Sequence, residues 1–119
     1  MPWYAVSAVL WARFKVGKQA SFPIWENVYL VEAADFGAAR SAGEKLARSD
    51  EGDSDGSFRW DDRPAEWVFA GIRKVTSCTE SAQRPEHGTE LTYSEFEASS
   101  LDAVIRLASG EAMTVTYVE

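Results

Sequence analysis

Apolar and polar positions alternate from the start of the chain. Tyr4, Val6, Ala8, Leu10, Ala12, Phe14 and Val16 fall on one face, and Ser7, Arg13 and Lys15 fall on the other with Trp3 and Trp11. A period of two with one apolar face predicts a strand, Met1 to Val16, in a sheet that buries one side. The turn-like stretch Gly17 to Pro23 leads to a second strand, Ile24 to Ala33. Here Trp25, Tyr29, Val31 and Ala33 share one face, while Val28 and Leu30 share the other with Glu26 and Glu32. A connection this short predicts an antiparallel pair.

The period then changes. Asp35 suits a helix N-cap, and Phe36, Ala39, Gly43, Leu46 and Ala47 follow at helical spacing. Many of these residues are small, so the helix is expected to lie close to the sheet. Gly, Asp and Ser crowd the stretch from Ser49 to Ser57, which reads as a solvated loop with nothing to pack. A third strand, Glu66 to Cys78, carries Trp67, Val68, Phe69, Ile72 and Val75. Thr79 to Gly88 reads as a loop around Pro85. Thr89 to Ala98 is a more polar fourth strand, suited to a sheet edge by Glu90, Glu95 and Glu97. Ser100 caps a second helix with Leu101, Val104, Ile105 and Ala108 as its stripe, and Gly110 stands where a left-handed residue ends it. Ala112 to Val118 makes the last strand.

The order β-β-α-β-β-α-β predicts the α+β class: a mainly antiparallel sheet of about five strands with two helices on one face. At 119 residues the chain suits one domain, 1–119. A chain of this size buries about two-thirds of its unfolded surface and needs neither disulfide nor metal to fold.

Three segments carry a family likeness: Trp3-Tyr4-Ala5-Val6, Glu26 to Ala33 running into an Ala-rich helix, and Glu66-Trp67-Val68-Phe69-Ala70-Gly71-Ile72. Together they resemble the small bacterial DUF4288 family over residues 3 to about 97. That family has no known function, so the resemblance supports the fold and implies no site.

Charge narrows the partners. Twelve basic against nineteen acidic residues give a net −7. That balance argues against nucleic acid, whose phosphates are bound by clustered Lys and Arg. Residues 50–62 hold six acids and one base, Arg59, so −5 of the −7 lies there. One cysteine, Cys78, excludes an internal disulfide and fits a reducing compartment. The apolar run Trp3 to Trp11 has no basic region before it, is interrupted by Arg13 and Lys15, and falls far short of the roughly 20 residues of a membrane span. A cytoplasmic protein is expected.

Glu51 to Asp62 overlaps a calcium-binding EF-hand loop, with acids at positions one, three, five and twelve and Gly56 at six. It departs by Glu at one, Asp at twelve and a strand-like run with Pro64 where a helix should exit, so no metal or other cofactor is expected. Cys78 and His87 are the only thiol and imidazole, and nothing in their spacing holds them together. Glu66, Glu90, Glu95 and Glu97 read as cross-strand partners of bases such as Arg73 and Lys74. No Gly-rich loop opens a helix, so a phosphate cradle is missing. No catalytic residue emerges.

Five Trp, four Tyr and six Phe exceed what the core requires. Trp3, Trp11, Trp25, Trp60 and Trp67 are expected on the sheet face away from the helices. An open aromatic face marks a partner surface. The expected function is therefore a non-enzymatic protein-interaction module, of the inhibitor or immunity kind. It would bind a basic partner through Glu51, Asp53, Asp55, Asp61, Asp62, Trp11 and Trp25, and a homodimer is a further expectation. The alternative is a small-ligand-binding or enzymatic domain with a pocket between sheet and helices.

Overall fold

The computed structural model describes residues 1–80 and 83–118. Residues 81 and 82 of the loop expected over 79–88, and residue 119, lie outside the described residues. The protein is α+β, with elements β1 (Trp3–Phe14), β2 (Ile24–Glu32), α1 (Phe36–Ser49), β3 (Arg59–Trp60), β4 (Arg63–Ser77), β5 (Phe96–Glu97), α2 (Leu101–Ala108) and β6 (Thr116–Tyr117). The first four strands form one antiparallel sheet in the order β2-β1-β4-β3. β5 and β6 pair separately, with the Phe96 and Tyr117 rings 4.8 Å apart. The expected fourth and fifth strands shrink to two residues each and leave the main sheet. Its edges are β2 and the short β3.

β1 is central, and its even-numbered residues from Val6 to Ala12 are small or aliphatic enough to sit beneath a helix. Tyr4, Val6, Ala8, Leu10 and Ala12 are buried together with Val31 of β2 and Ala39 and Ala47 of α1. α1 crosses β1, β2 and β4. Asp35 opens it as expected, accepting a hydrogen bond from the Ala38 N–H at 2.7 Å. The buried face is Ala39, Gly43 and Ala47, whereas Phe36 and Leu46 at the margins of the stripe are exposed. A Cβ placed on Gly43 would lie 2.8 Å from Val6 Cβ and nearer still to its Cγ1. Small residues thus set the depth of the helix.

β4 breaks the simple alternation. Lys74 pairs with Ser7 but Ile72 with Ala8, and Gly71 pairs with Val9 but Phe69 with Leu10. Arg73 and Ala70 are therefore extra residues, each a β-bulge that resets the side-chain parity. The helix-facing residues become Ala65, Trp67, Phe69, Ile72 and Val75.

The second face of β1 is not left open along its whole length. Ser7, expected on an exposed face, is fully buried, as is Ala5. Beside them on β4, the Lys74 ammonium lies 5.0 Å over the Tyr93 ring and the Arg73 guanidinium 4.7 Å over Tyr117. The Thr76 and Thr92 hydroxyls are 3.4 Å apart. The segment beyond residue 90 covers this half of the sheet. Ser100 caps α2, accepting from the Ala103 N–H at 3.1 Å, and Gly110 has φ of 83° as expected. The stripe Leu101, Val104 and Ile105 faces solvent, and only Ala103 is buried.

Candidate functional site

The acidic segment is not the unpacked loop its composition suggests. Gly52 N–H donates to the Trp67 carbonyl at 3.0 Å, and Trp67 N–H returns a bond to the Gly52 carbonyl at 2.7 Å. Phe58 carbonyl accepts from Ala65 N–H at 3.1 Å. Residues 52–58 are thereby laced along β4, and Arg59–Trp60 continues as β3. Asp61 and Asp62, with φ of 51° and 59°, form the two-residue turn into β4. Positive φ at both positions defines a type I′ hairpin turn, which short polar side chains such as Asp tolerate.

This lacing divides the predicted acids into two groups. Glu51 Oε2 accepts the Phe69 N–H at 2.8 Å and lies near Arg48. Asp53 pairs with the Lys15 ammonium and accepts the Gly56 N–H at 3.0 Å. The bond from Lys15, reinforced by that from Gly56, holds the Asp53 carboxyl below its ordinary value. Both side chains serve the fold. Asp55, Asp61 and Asp62 stand on exposed turns and carry no ion pair among the described residues. No group of three His, Cys, Asp or Glu that could hold a metal ion occurs among the described residues.

The tryptophans are likewise divided, contrary to the expectation that all five share the face away from the helices. Trp11 lies on that face and packs edge-on against Phe22, ring centroids 5.6 Å apart. Trp25 pairs with Leu10 and Trp67 with Ala12, so both lie on the α1 side. Their centroids are 4.6 Å apart; Phe58 stacks on Trp67 at 5.0 Å, and Trp60 meets Trp25 edge-on at 6.2 Å. The parity of Trp25 with Tyr29 and Val31 already signalled its side; the hairpin that brings in Trp60 had no comparable signal.

A cleft of about 210 Å³ opens beside this cluster, lined by Leu10, Trp25, Asn27, Asp50 and Trp67. Asp50 is the C-cap of α1, and its carboxylate accepts a hydrogen bond from the Tyr29 hydroxyl. Burial, then this carboxylate, pushes the Tyr29 phenol above its ordinary value. Trp25 remains 49% exposed. Asp50 belongs to the acidic segment 50–62, but its meeting with Asn27 and Tyr29 has no signal in the sequence, since a helix cap and two residues of one strand come together only in the fold.

A larger concavity, about 720 Å³, is lined by the end of β4 and by residues 78–80, 83–86 and 89 rather than lying between sheet and helix. Cys78 borders it, and burial raises its thiol pKa, opposite to the shift a nucleophilic thiolate needs. Among the described residues, no helix is long and apolar enough to cross a membrane.

No curated protein and no solved structure matches the chain. The family model DUF4288, a domain of unknown function, matches residues 3–93, which span the main sheet, α1 and the aromatic cleft but stop short of β5, α2 and β6. With most of its length matched, the chain belongs to the DUF4288 family.

Proposed function

We propose that the protein is a small, non-enzymatic interaction module that docks a basic protein, in the manner of an inhibitor or immunity protein. The observation that carries this reading is the position of Trp25. It is half exposed, packs on Trp60 immediately before the Asp61–Asp62 turn, and shares a cleft with Asp50. An aromatic anchor bordered by acids is the surface a basic partner needs: Trp residues concentrate binding energy, and complementary charge speeds encounter and rejects wrong partners.

The test is capture of basic proteins, nucleases among them, by the wild type and by a variant carrying Asp55→Lys, Asp61→Lys and Asp62→Lys. Asp53 and Glu51 are left intact because they hold the loop. Loss of capture in the variant, with its circular dichroism unchanged, supports the reading. Equal capture by both proteins refutes it.

Self-association is a second reading, favoured by the open edge of β2. Ala12 N–H donates to the Pro23 carbonyl and Ala33 N–H to the Pro2 carbonyl. Backbone groups alternate along a strand, so the odd residues of β2 bond to β1 and the even ones, Ile24 to Glu32, point outward. Ile24, Val28 and Leu30 are also exposed. An unpaired apolar edge is a template for a second strand. Light scattering across a range of concentrations decides it: a stable dimer is expected, and a monomer throughout excludes it.

A further inference from the structure

We propose that the cleft between Trp25 and Asp50 is the seat of a single guanidinium group, the head of an arginine side chain on the basic partner. This deepens the docking function and rests on it.

Size sets the first limit. At about 210 Å³ the cleft falls below the roughly 300–1,000 Å³ of ordinary small-molecule pockets. One side-chain head group fits; a nucleotide does not. Wall chemistry sets the second. Trp25 and Trp67 offer indole surface, and Asp50 offers a carboxylate steadied by the Tyr29 hydroxyl. An apolar occupant would cover the Asp50 charge and Asn27 while adding nothing to the bonds they already share with the Tyr29 hydroxyl, and desolvating a charge without a compensating partner is costly. An anion would meet Asp50 directly.

Helix polarity points the same way. Asp50 closes α1 at its C-terminal end, where the backbone already carries partial negative charge and cations are the stabilising companions. The one base of the last turn, Arg48, is turned to Glu44 and Glu51 and lies over the Phe69 ring. The cleft therefore concentrates negative potential that α1 leaves for a ligand to neutralise. Between the two cationic head groups, the planar guanidinium stacks on indole and keeps its N–H groups in plane for the carboxylate, which a compact ammonium cannot do.

The test uses the whole protein and small probes, without a protein partner. Ethylguanidinium is titrated while the Trp25 and Trp67 indole N–H resonances are followed, with butylammonium and neutral propylurea as comparisons. The expected result is a saturable shift of both indoles with ethylguanidinium, weaker binding of butylammonium and none of propylurea. Asp50→Asn should weaken ethylguanidinium about tenfold or more, the scale of a lost charge-assisted hydrogen bond. Trp25→Leu should weaken it as well, each variant being checked for a native dichroism spectrum. Absence of saturation, equal response to propylurea, preference for butylammonium, or unchanged affinity in Asp50→Asn would each overturn the assignment. If the probe fails while charge reversal at Asp55, Asp61 and Asp62 still abolishes partner capture, the seat is wrong and the docking function stands.

Discussion

Gly43 and Val6 touch so closely that no side chain fits between α1 and β1 at their crossing. A Cβ on Gly43 would stand 2.8 Å from Val6 Cβ. Gly43→Ala should therefore destabilise the protein by about 1–3 kcal/mol, the usual cost of overpacking, although alanine is the better helix former. Shortening Val6 to alanine removes the nearest methyl carbons. Chemical denaturation of Gly43→Ala, Val6→Ala and the double variant should give a double-variant loss smaller than the sum of the two. An additive result would mean that the helix shifts freely on the sheet.

The Asp61–Asp62 turn leads to a stabilising change. Both residues occupy the left-handed region, which costs most L-residues about 1–2 kcal/mol, Asp and Asn less, and Gly least. Asp61→Asn with Asp62→Gly supplies the favoured type I′ pair. Thermal unfolding should show a higher midpoint and an unchanged fold.

The Lys15–Asp53 pair gives a pH dependence with a definite sign. Its carboxyl titrates below the ordinary 3.8, so the native state holds the proton less tightly than the unfolded chain. The stabilisation is present above the unfolded value and is lost as pH falls through the lower native one. Asp53→Asn keeps an acceptor for the Gly56 N–H but loses the charge. The difference in melting temperature between wild type and variant should be largest near neutrality and vanish in strong acid. A constant difference would show that the pair contributes nothing as an ion pair.

Val28 offers a clean probe of the β2 edge. Its N–H points away from β1, so proline there removes no bond within the sheet, and edge strands tolerate it. Val28→Pro should leave thermal stability of the monomer nearly unchanged and abolish any dimer seen by light scattering. A dimer that survives the substitution assembles elsewhere.

How much of this was legible depends on which interactions are local. The caps at Asp35 and Ser100 and the left-handed Gly110 each depend on neighbours a few residues away, and each stands in the fold as expected, whereas the alternation of β1 assigned side chains to faces without showing that Ala5 and Ser7 would be buried too. Thr89 to Ala98 carried Leu91, Tyr93 and Phe96 among its acids, yet only Phe96–Glu97 pairs, with the equally short β6. The α2 stripe was correctly periodic, but periodicity says nothing of what lies opposite; Leu101, Val104 and Ile105 face solvent. Part of the candidate site was visible, namely Trp25 and the acids. The cleft joins residues 10, 25, 27, 50 and 67, and no local pattern records such a meeting. Glu51 and Asp53 stood among the expected partner-binding acids, and composition alone cannot show that one accepts a backbone N–H and the other pairs with Lys15.

The paired bulges of β4 also govern where this strand can change length in the course of descent. Removing one residue from an ordinary strand turns every side chain beyond the cut to the opposite face. At Ala70 or Arg73 the missing residue is the one without a partner, so its loss restores regular pairing and leaves both neighbouring segments correctly faced. Insertions and deletions in β4 should thus collect at two positions. Loss at 73 would also remove the ion pair that joins β4 to Glu26 across β1. Ala70 is then the position where relatives can differ in length without disturbing the far edge of the sheet.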